Sequence, residues 1–500
     1  MSAATALPVR ESFEEFLEQE QAKDLLRFTT AGSVDDGKST LIGRLLYDSR
    51  SVYDDQLESV TNASAGRNAG AIDFSLLTDG LRAEREQGIT IDVAYRYFAT
   101  PRRKFIIADT PGHEQYTRNM VTGASTAELA IVLVDARKGL LPQSRRHAYI
   151  ASLLGLPHVV IAVNKMDLVG YEHATFARIE ADFRRFLARF QSIEPYFVPI
   201  SALAGDNVVN RSSRMPWFHG PSLLEYLERV PIGKRVQNSA FRFPVQRVVR
   251  PNQEFRGYAG TLVSGCISVG DPVVISPSGR QTSIASITTF DGELRHAQAG
   301  QAVTLTLAAE IDVVRGDTIS TPDEPPLSSS AIDATLVWLN GEPAQLNKRY
   351  RLKNASRQEW AELKYIRHRL NINSLDHEHA STLEINEIGS VHLESARPLA
   401  FDTYAKNRAT GSFILIDEAT NATVAAGMIT GAVQDARKVF FSPITLSDRI
   451  TRVSFETVGG KSQTFTLPAD DSDAQQAIEE LLDRIRARFP EPDWTESGGI

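Results

Sequence analysis

The chain has 500 residues, of which 42% are hydrophobic and 23% are charged, and its formal net charge at pH 7 is −8. This composition is typical of a soluble globular protein with several domains, and the acidic balance gives no sign of a wide nucleic-acid-binding surface. No uninterrupted apolar stretch of about 18 residues occurs, so no membrane span is expected, and the acidic N-terminus lacks the order of a signal peptide. The single cysteine, Cys266, excludes an internal disulfide and is expected to be a small buried side chain. These features predict a cytoplasmic protein.

Residues 1–24 form a glutamate-rich leader. Within and just after it, Phe13, Phe16, Leu17 and Leu25 recur at near-helical spacing, which predicts a short amphipathic helix.

Residues 25–232 alternate short apolar runs with helical segments. This alternation predicts an α/β domain with a mostly parallel sheet covered by helices on both faces. The predicted strands are Leu25–Thr30, Ile91–Ala99, Lys104–Asp109, Leu129–Asp135, His158–Asn164 and Tyr196–Ser201. The predicted helices are Thr40–Tyr47, Ser144–Gly155 and His173–Ser192.

The pattern changes near Pro231, where short β-rich runs separated by Gly, Pro and Asp begin. These runs predict a small antiparallel β-barrel over residues 240–322. The Pro- and Ser-rich stretch Thr321–Ser330 is predicted to be a linker, and a second β-rich block, 331–432, predicts another barrel.

Residues 433–500 are predicted to be a C-terminal extension that forms a small α+β appendage. Its expected strands are Thr451–Val458 and Ser462–Leu467, and its expected helix is Asp473–Arg488. No chemistry is predicted for this extension.

The most informative motif stands between the first predicted strand and the first predicted helix. It reads Gly32-Ser33-Val34-Asp35-Asp36-Gly37-Lys38-Ser39, followed by Thr40. The glycines let the backbone curl so that successive amides and the helix N-terminus face a phosphate group. Lys38 is expected to reach the β and γ phosphates, and the Ser39 hydroxyl to bind Mg²⁺. We therefore predict that all nine residues bind a nucleotide.

A second motif, Asp109-Thr110-Pro111-Gly112-His113, ends a predicted strand and is expected to contact the same nucleotide. The Asp109 carboxylate is expected to hold Mg²⁺ through a water, and the Gly112 amide to approach the γ-phosphate as a switch. Thr90 is predicted to give Mg²⁺ a second hydroxyl, and His113 to orient the attacking water. The predicted catalytic residues are Lys38, Thr90 and His113, and the predicted metal ligands are Ser39, Thr90 and Asp109.

Two further motifs predict that the base is guanine. Asn164-Lys165-Met166-Asp167 follows a predicted strand, and the Asp167 carboxylate can accept hydrogen bonds from N1 and N2 of guanine, a donor pair that adenine lacks. Lys165 is expected to cover the ring, and Asn164 to tie neighbouring loops together. Ser201-Ala202-Leu203 is expected to present the Ala202 amide to guanine O6. The motifs together predict a GTPase.

The order of these motifs, followed by two barrels, resembles the translational GTPase superfamily. Within it, the chain resembles the GTPase subunit of bacterial sulfate adenylyltransferase (CysN type) over residues 25–432. Elongation factor Tu typically has histidine at the position of Asp36 and threonine at that of Ser39. The segments that carry the resemblance are Asp35-Asp36, Leu41–Ser49, Ser201–Asn207, Asn371–Asn373, Gly411–Asp417 and Asn421–Met428.

The resemblance implies a heterodimer or higher heteromer with a small catalytic subunit (CysD type, similar to ATP pyrophosphatases). On that partner, ATP and sulfate would give adenosine 5′-phosphosulfate and diphosphate, while this chain would use GTP and Mg²⁺. The fused adenosine phosphosulfate kinase of some relatives is not expected, since no second phosphate loop occurs in the sequence. Neither nucleic acid nor membrane is an expected partner.

Two alternatives stay open at this point. The two barrels also permit an elongation factor Tu-like carrier of aminoacyl-tRNA, because fold does not decide function. A GTP-dependent assembly factor without a transferase partner is the third possibility.

Overall fold

A computed structural model of the chain describes residues 23–33, 35–49, 74, 92–111, 117–188, 195–232, 239–252, 255–371, 374, 376–432, 439–441, 451–457 and 461–467. Residues 1–22 of the predicted leader helix, the predicted helix Asp473–Arg488 and the predicted site residues Val34, Thr90, Gly112 and His113 lie outside these residues. Leu25, which the helical spacing assigned to the leader helix, is instead the first residue of a strand. The chain divides into two compact units, Met1–Ala432 and Val433–Ile500.

The first unit opens with a six-stranded sheet in the order β2-β3-β1-β4-β5-β6. Strand β2 runs antiparallel to β3, and the remaining neighbours are parallel. The strands are β1 Leu25–Ala31, β2 Ala94–Ala99, β3 Lys104–Asp109, β4 Leu129–Asp135, β5 His158–Asn164 and β6 Pro195–Pro199. The helices are α1 Lys38–Asp48, α2 Thr117–Ser125, α3 Pro142–Leu153, α4 His173–Leu187 and α5 Leu223–Arg229. The predicted α/β class is confirmed.

Helices cover both faces of this sheet, as its central strand shows. Every residue of β4 is buried, and its side chains alternate between two hydrophobic clusters. One cluster contains Ile131 with residues of α1 and α5, and the other contains Val132 with residues of α2, α3 and α4. A strand buried on both faces has no polar alternation, which is why its sequence is an unbroken apolar run.

Helix α3 begins at Pro142, two residues before the predicted start at Ser144. Proline is well suited to the first turn of a helix because its fixed φ is helical. It also lacks an N–H, which at this position would have no partner within the helix. The short helices α2 and α5 were not predicted.

The next part of the first unit is a closed antiparallel barrel. Its sheet order is β10-β15-β7-β8-β14-β11-β12, and pairing of β10 with β11 closes it. Its strands, with the ribbon β9–β13, are β7 Arg242–Val249, β8 Gly257–Thr261, β9 Cys266–Ser268, β10 Pro272–Ser276, β11 Arg280–Thr289, β12 Gly292–Leu294, β13 His296–Gln298, β14 Ala302–Leu307 and β15 Thr318–Ser320.

The expectation that Cys266 is buried is wrong. The side chain is exposed on β9, while the next residue, Ile267, packs into the barrel core. Successive residues of a strand point to opposite faces, so only one of the two can point inward, and isoleucine does.

A second closed barrel follows, in the order β17-β21-β22-β16-β20-β18-β19, with β17 also paired to β18. Its strands are β16 Leu327–Trp338, β17 Arg349–Asn354, β18 Arg357–Leu370, β19 His377–Glu378, β20 Ile388–Phe401, β21 Ser412–Ile416 and β22 Thr423–Ala432, and the one-turn helix α6 is Arg408–Gly411. The linker prediction for Thr321–Ser330 is wrong at its end, since β16 already begins at Leu327, which pairs with Phe401. Three consecutive serines hide this end of the strand in the sequence, and none of them is buried: Ser328 and Ser330 are exposed and Ser329 is half-buried.

The second unit contains a three-stranded antiparallel sheet in the order β23-β24-β25. These strands are β23 Val439–Phe441, β24 Thr451–Thr457 and β25 Lys461–Leu467.

Candidate functional site

The phosphate loop joins β1 to α1 and turns at left-handed residues. Gly37 has φ +88° and Asp35 has φ +69°, and α1 begins immediately afterwards at Lys38. A Cβ atom on Gly37 would lie 2.5 Å from Nδ2 of Asn164, so any other residue would collide with that side chain. The loop therefore needs glycine here both for backbone conformation and for space.

Asp36 holds the loop in shape from inside. Its Oδ2 accepts a hydrogen bond from the Ser33 amide at 2.7 Å, and its own amide donates to the Ser33 carbonyl at 3.1 Å. Only 1% of Asp36 is exposed, and its Oδ1 has no hydrogen-bond partner among the described residues. Burial raises the pKa of this carboxyl to about 6, although the Ser33 amide bond opposes the shift.

Lys38 lies between the phosphate loop and the end of β3. Its Nζ is 3.0 Å from Oδ1 of Asp109 and also donates to the carbonyl oxygen of Thr110. The Thr110 hydroxyl donates to the Thr30 carbonyl at 2.7 Å, and the Thr30 hydroxyl donates to Asp109 at 3.3 Å. Two motifs that are far apart in the sequence thus meet at one edge of the sheet, as expected for the ends of neighbouring parallel strands.

The oxygen atoms at this edge fit a hard divalent cation. Ser39 is half-buried in the first turn of α1, and the buried carboxylate of Asp109 ends β3. Hydroxyl and carboxylate oxygens are the ligands that Mg²⁺ prefers, with waters and phosphate oxygens completing its shell. Thr40 is half-buried beside Ser39, and Pro111 is buried after Thr110.

Asn164 links the phosphate loop to the loop after β6. Its Nδ2 donates to the Asp36 carbonyl at 2.8 Å, and its Oδ1 accepts from the Ala202 amide at 2.9 Å. The side chain is 2% exposed, so both bonds are shielded from water. Three of the predicted binding segments are therefore joined by one amide group.

Asp167 stands beside the Ser201–Leu203 loop, where the base is expected. The Ser201 hydroxyl donates to Oδ1 of Asp167 at 2.6 Å, and the Met166 amide donates to the Ile200 carbonyl at 3.2 Å. Asp167 is half-buried, and the side chain of Leu203 is 60% exposed. An acceptor carboxylate beside an exposed apolar side chain can bind a planar base that carries two N–H donors.

Sequence reasoning missed Asp135, which fixes Lys165. Lys165 has φ +63°, donates to the Asp35 carbonyl oxygen, and places Nζ 3.2 Å from Oδ2 of Asp135. Arg137 adds bonds to Asp135 from its amide at 2.9 Å and its guanidinium at 2.6 and 3.0 Å. Burial alone would raise the pKa of Asp135, but these donors lower it to about 2. The available signal was an aspartate that ends β4, between the strands that carry the other motifs.

The protein families that the chain matches follow one another in the order of its domains. Residues 23–232 match the family described as Elongation factor Tu GTP binding domain, residues 258–320 match Elongation factor Tu domain 2, and residues 331–430 match GTP-eEF1A C-terminal domain-like. Sulfate adenylyltransferase subunit 1 of Psychromonas ingrahamii is 53% identical over 427 residues, which are 85% of this chain and 91% of that protein. The chain belongs to the sulfate adenylyltransferase subunit 1 family.

A second sulfate adenylyltransferase subunit 1 and a bifunctional enzyme are similarly close to this chain. The protein of Laribacter hongkongensis is 53% identical over 431 residues, which are 86% of this chain and 90% of that protein. The bifunctional enzyme NodQ of Rhizobium meliloti is 50% identical over 451 residues, 89% of this chain and 70% of NodQ. The family resemblance and the fold class predicted from the motifs are confirmed, and the designation subunit 1 implies a further subunit in these relatives.

No helix in the described ranges has the length and apolar character needed to cross a bilayer. Among the residues that the structure describes, no cluster of three or more His, Cys, Asp or Glu side chains forms a protein-only metal site. A cation that is held largely by phosphate oxygens and water needs no such cluster.

Proposed function

We propose that this chain is the GTP-hydrolysing subunit of a cytoplasmic sulfate adenylyltransferase. The single observation that carries the proposal is the Asn164 bridge, which joins the phosphate loop to the base-recognition loop in a chain 53% identical to a sulfate adenylyltransferase subunit 1. A bridge of this kind pre-organises two loops of the protein, one for the triphosphate end of a ligand and one for its base.

The predicted site residues can take distinct roles toward GTP. The loop amides from Gly32 to Thr40 hold the phosphates. The Lys38 ammonium group exchanges its ion pair with Asp109 for contacts with the phosphate oxygens. The oxygens of Ser39 and Asp109, with Thr90, would hold Mg²⁺, which neutralises charge on the phosphates when bound.

The protein residues contribute to hydrolysis mainly by positioning the reactants. His113 orients the attacking water, as proposed from its place after Gly112. Asp167 selects guanine by accepting its N1 and N2 hydrogens, a choice that the Ser201 bond supports by fixing the carboxylate.

The companion protein is a small catalytic subunit of the CysD type, on which ATP adenylylates sulfate. The phosphate–sulfate anhydride is uphill to form, so coupling to a second nucleotide makes physical sense. The coupling requires that the companion bind the GTP and GDP states of this chain with different affinity.

Reconstitution of the two purified subunits tests this proposal. With ATP, sulfate and Mg²⁺ present, formation of adenosine 5′-phosphosulfate should depend on GTP and be lost with Asp109→Ala. Asp312→Ala is a matched control, because Asp312 is a largely exposed carboxylate paired with Arg256 in the first barrel. Equal product formation without GTP, or full activity of Asp109→Ala, would refute the coupling.

A further inference from the structure

Residues 402–411, which we call the clasp segment, connect β20 to β21 in the second barrel. They contact the GTPase domain and the first barrel. The segment ends with helix α6, and a Cβ on Gly411 would lie 2.6 Å from the backbone of Tyr404. The segment is therefore folded tightly on itself and can act as a single body.

On the GTPase side, the clasp segment binds the carboxyl ends of two helices. The Arg408 guanidinium donates to the carbonyls of Ser125 at 2.8 Å and Ala127 at 3.2 Å, at the end of α2. The Tyr404 hydroxyl donates to the carbonyl of Leu154 at 3.0 Å, at the end of α3. Carbonyls at a helix end have no partner within the helix, and a cation there is stabilised by the helix dipole.

On the other side, the clasp segment is fixed to the first barrel by a buried ion pair. The Arg242 guanidinium donates to both oxygens of Asp402 at 2.9 Å, and the two side chains are 1% and 3% exposed. The Thr410 hydroxyl donates to Asp402 at 2.7 Å, and Asn407 donates to the hydroxyl of Ser264 at 2.9 Å. A bidentate buried pair holds a fixed geometry, so the first barrel moves with the segment.

The position of α2 in the chain connects this arrangement to the nucleotide. Helix α2 begins at Thr117, four residues after His113, and ends at the carbonyls that Arg408 binds. A nucleotide-dependent displacement of α2 would therefore displace the carbonyls that Arg408 binds. The two charge-assisted bonds fix the position of the end of α2 relative to the clasp segment.

We infer that Arg408 is the positioning residue through which the nucleotide-dependent placement of α2 is transmitted to both barrels. The inference rests on the proposed function, since it assumes that GTP and GDP place α2 differently. It places the connection between the nucleotide site and the barrels in the clasp segment.

Hydrogen exchange on the full chain tests the inference without the companion subunit. In the unaltered chain, replacing GDP by a non-hydrolysable GTP analogue should change exchange in peptides that cover 402–411 and 242–249. Arg408→Ala should reduce that difference at least threefold, and Arg408→Lys, which keeps one donor group, should restore part of it. Lys406→Ala is the matched control, since Lys406 lies in the same segment and pairs with the surface residue Glu324.

A second measurement separates coupling from folding. In the reconstituted pair, Arg408→Ala should lower GTP stimulation of product formation about tenfold, within the range typical of coupling between sites, while the GTP dissociation constant stays within about twofold. Thermal unfolding of Arg408→Ala and Arg408→Lys checks that both variants fold.

An unchanged exchange difference in Arg408→Ala, or no nucleotide-dependent difference in the unaltered chain, would overturn the inference. If product formation by the unaltered pair needs GTP but Arg408→Ala keeps the full exchange difference, the proposed function stands and the inference fails. If product formation needs no GTP, the proposed function fails, and exchange alone decides the inference.

Discussion

Asn164→Ala should weaken guanine nucleotide binding more than its effect on folding explains. The substitution leaves the Asp36 carbonyl and the Ala202 amide without the partners that they have at 2.8 and 2.9 Å. Each buried unpaired group costs about 1–3 kcal/mol, so the two together cost roughly 2–6 kcal/mol. The two loops can relax toward water when no nucleotide holds them, and binding must then restore their positions. At least one bond's worth, about 1.4 kcal/mol, should appear as a tenfold or greater loss of affinity.

The assay is a titration of fluorescent GDP at equilibrium, accompanied by urea unfolding of the same proteins. Asn354→Ala is the matched control, because Asn354 is equally buried and donates to the carbonyls of Thr410 at 2.8 Å and Ser412 at 2.7 Å, in the second barrel. The control should lose comparable stability but keep its GDP affinity within about twofold, a shift of less than 0.5 kcal/mol. Equal GDP affinity in the two variants would refute the assigned role of Asn164.

Three further outcomes are expected. Asp167→Asn should shift nucleotide preference from GTP to XTP, because the new amide group presents a donor to guanine N1–H; competition binding checks this, and unchanged GTP preference would contradict it. The free energy of unfolding of Asp36→Asn, relative to that of the unaltered chain, should rise between pH 4 and pH 7. The folded-state pKa of Asp36, about 6, lies above the usual 3.8, so the carboxyl favours the folded state only while it is protonated. The unaltered chain therefore loses this stabilisation as the pH rises through about 6, and the variant does not. Urea unfolding should show a relative gain in stability of at most about 3 kcal/mol. A stability difference that does not change with pH would contradict the raised pKa of Asp36. Arg242→Ala should lower the free energy of unfolding by about 3–5 kcal/mol, because Asp402 stays buried without its partner. The double variant Arg242→Met, Asp402→Leu should recover most of that loss, because it leaves no buried charge. Equal losses in the single and double variants would contradict a buried ion pair at this position.

The nucleotide-binding edge could be predicted because its motifs follow buried strands. Asp109 ends β3 and Asn164 ends β5, and the carboxyl ends of parallel strands meet at one edge of the sheet. Their apolar runs also identify the strands, since a strand covered on both faces has no polar residues to interrupt it. Local pattern is therefore sufficient for the sheet and for the placement of these loops.

Other features depend on contacts between distant residues, which local pattern does not contain. The ion pair of Arg242 with Asp402 joins residues 160 positions apart, and the Asp135 network depends on which neighbouring loops approach it. The exposure of Cys266 was mispredicted because composition carries no information about which face of a short strand points inward. The start of β16 at Leu327 was missed because pairing with β20, not apolar alternation, defines that end.

Calorimetric titration of the purified chain with GDP and with ADP is the most direct test of the central claim, that this protein is switched by a guanine nucleotide. The hydrogen-bonding arrangement around Asp167 predicts tight GDP binding and rejection of ADP by a factor on the order of 10⁴. Equal affinity for the two nucleotides, or no binding of either, would contradict the account.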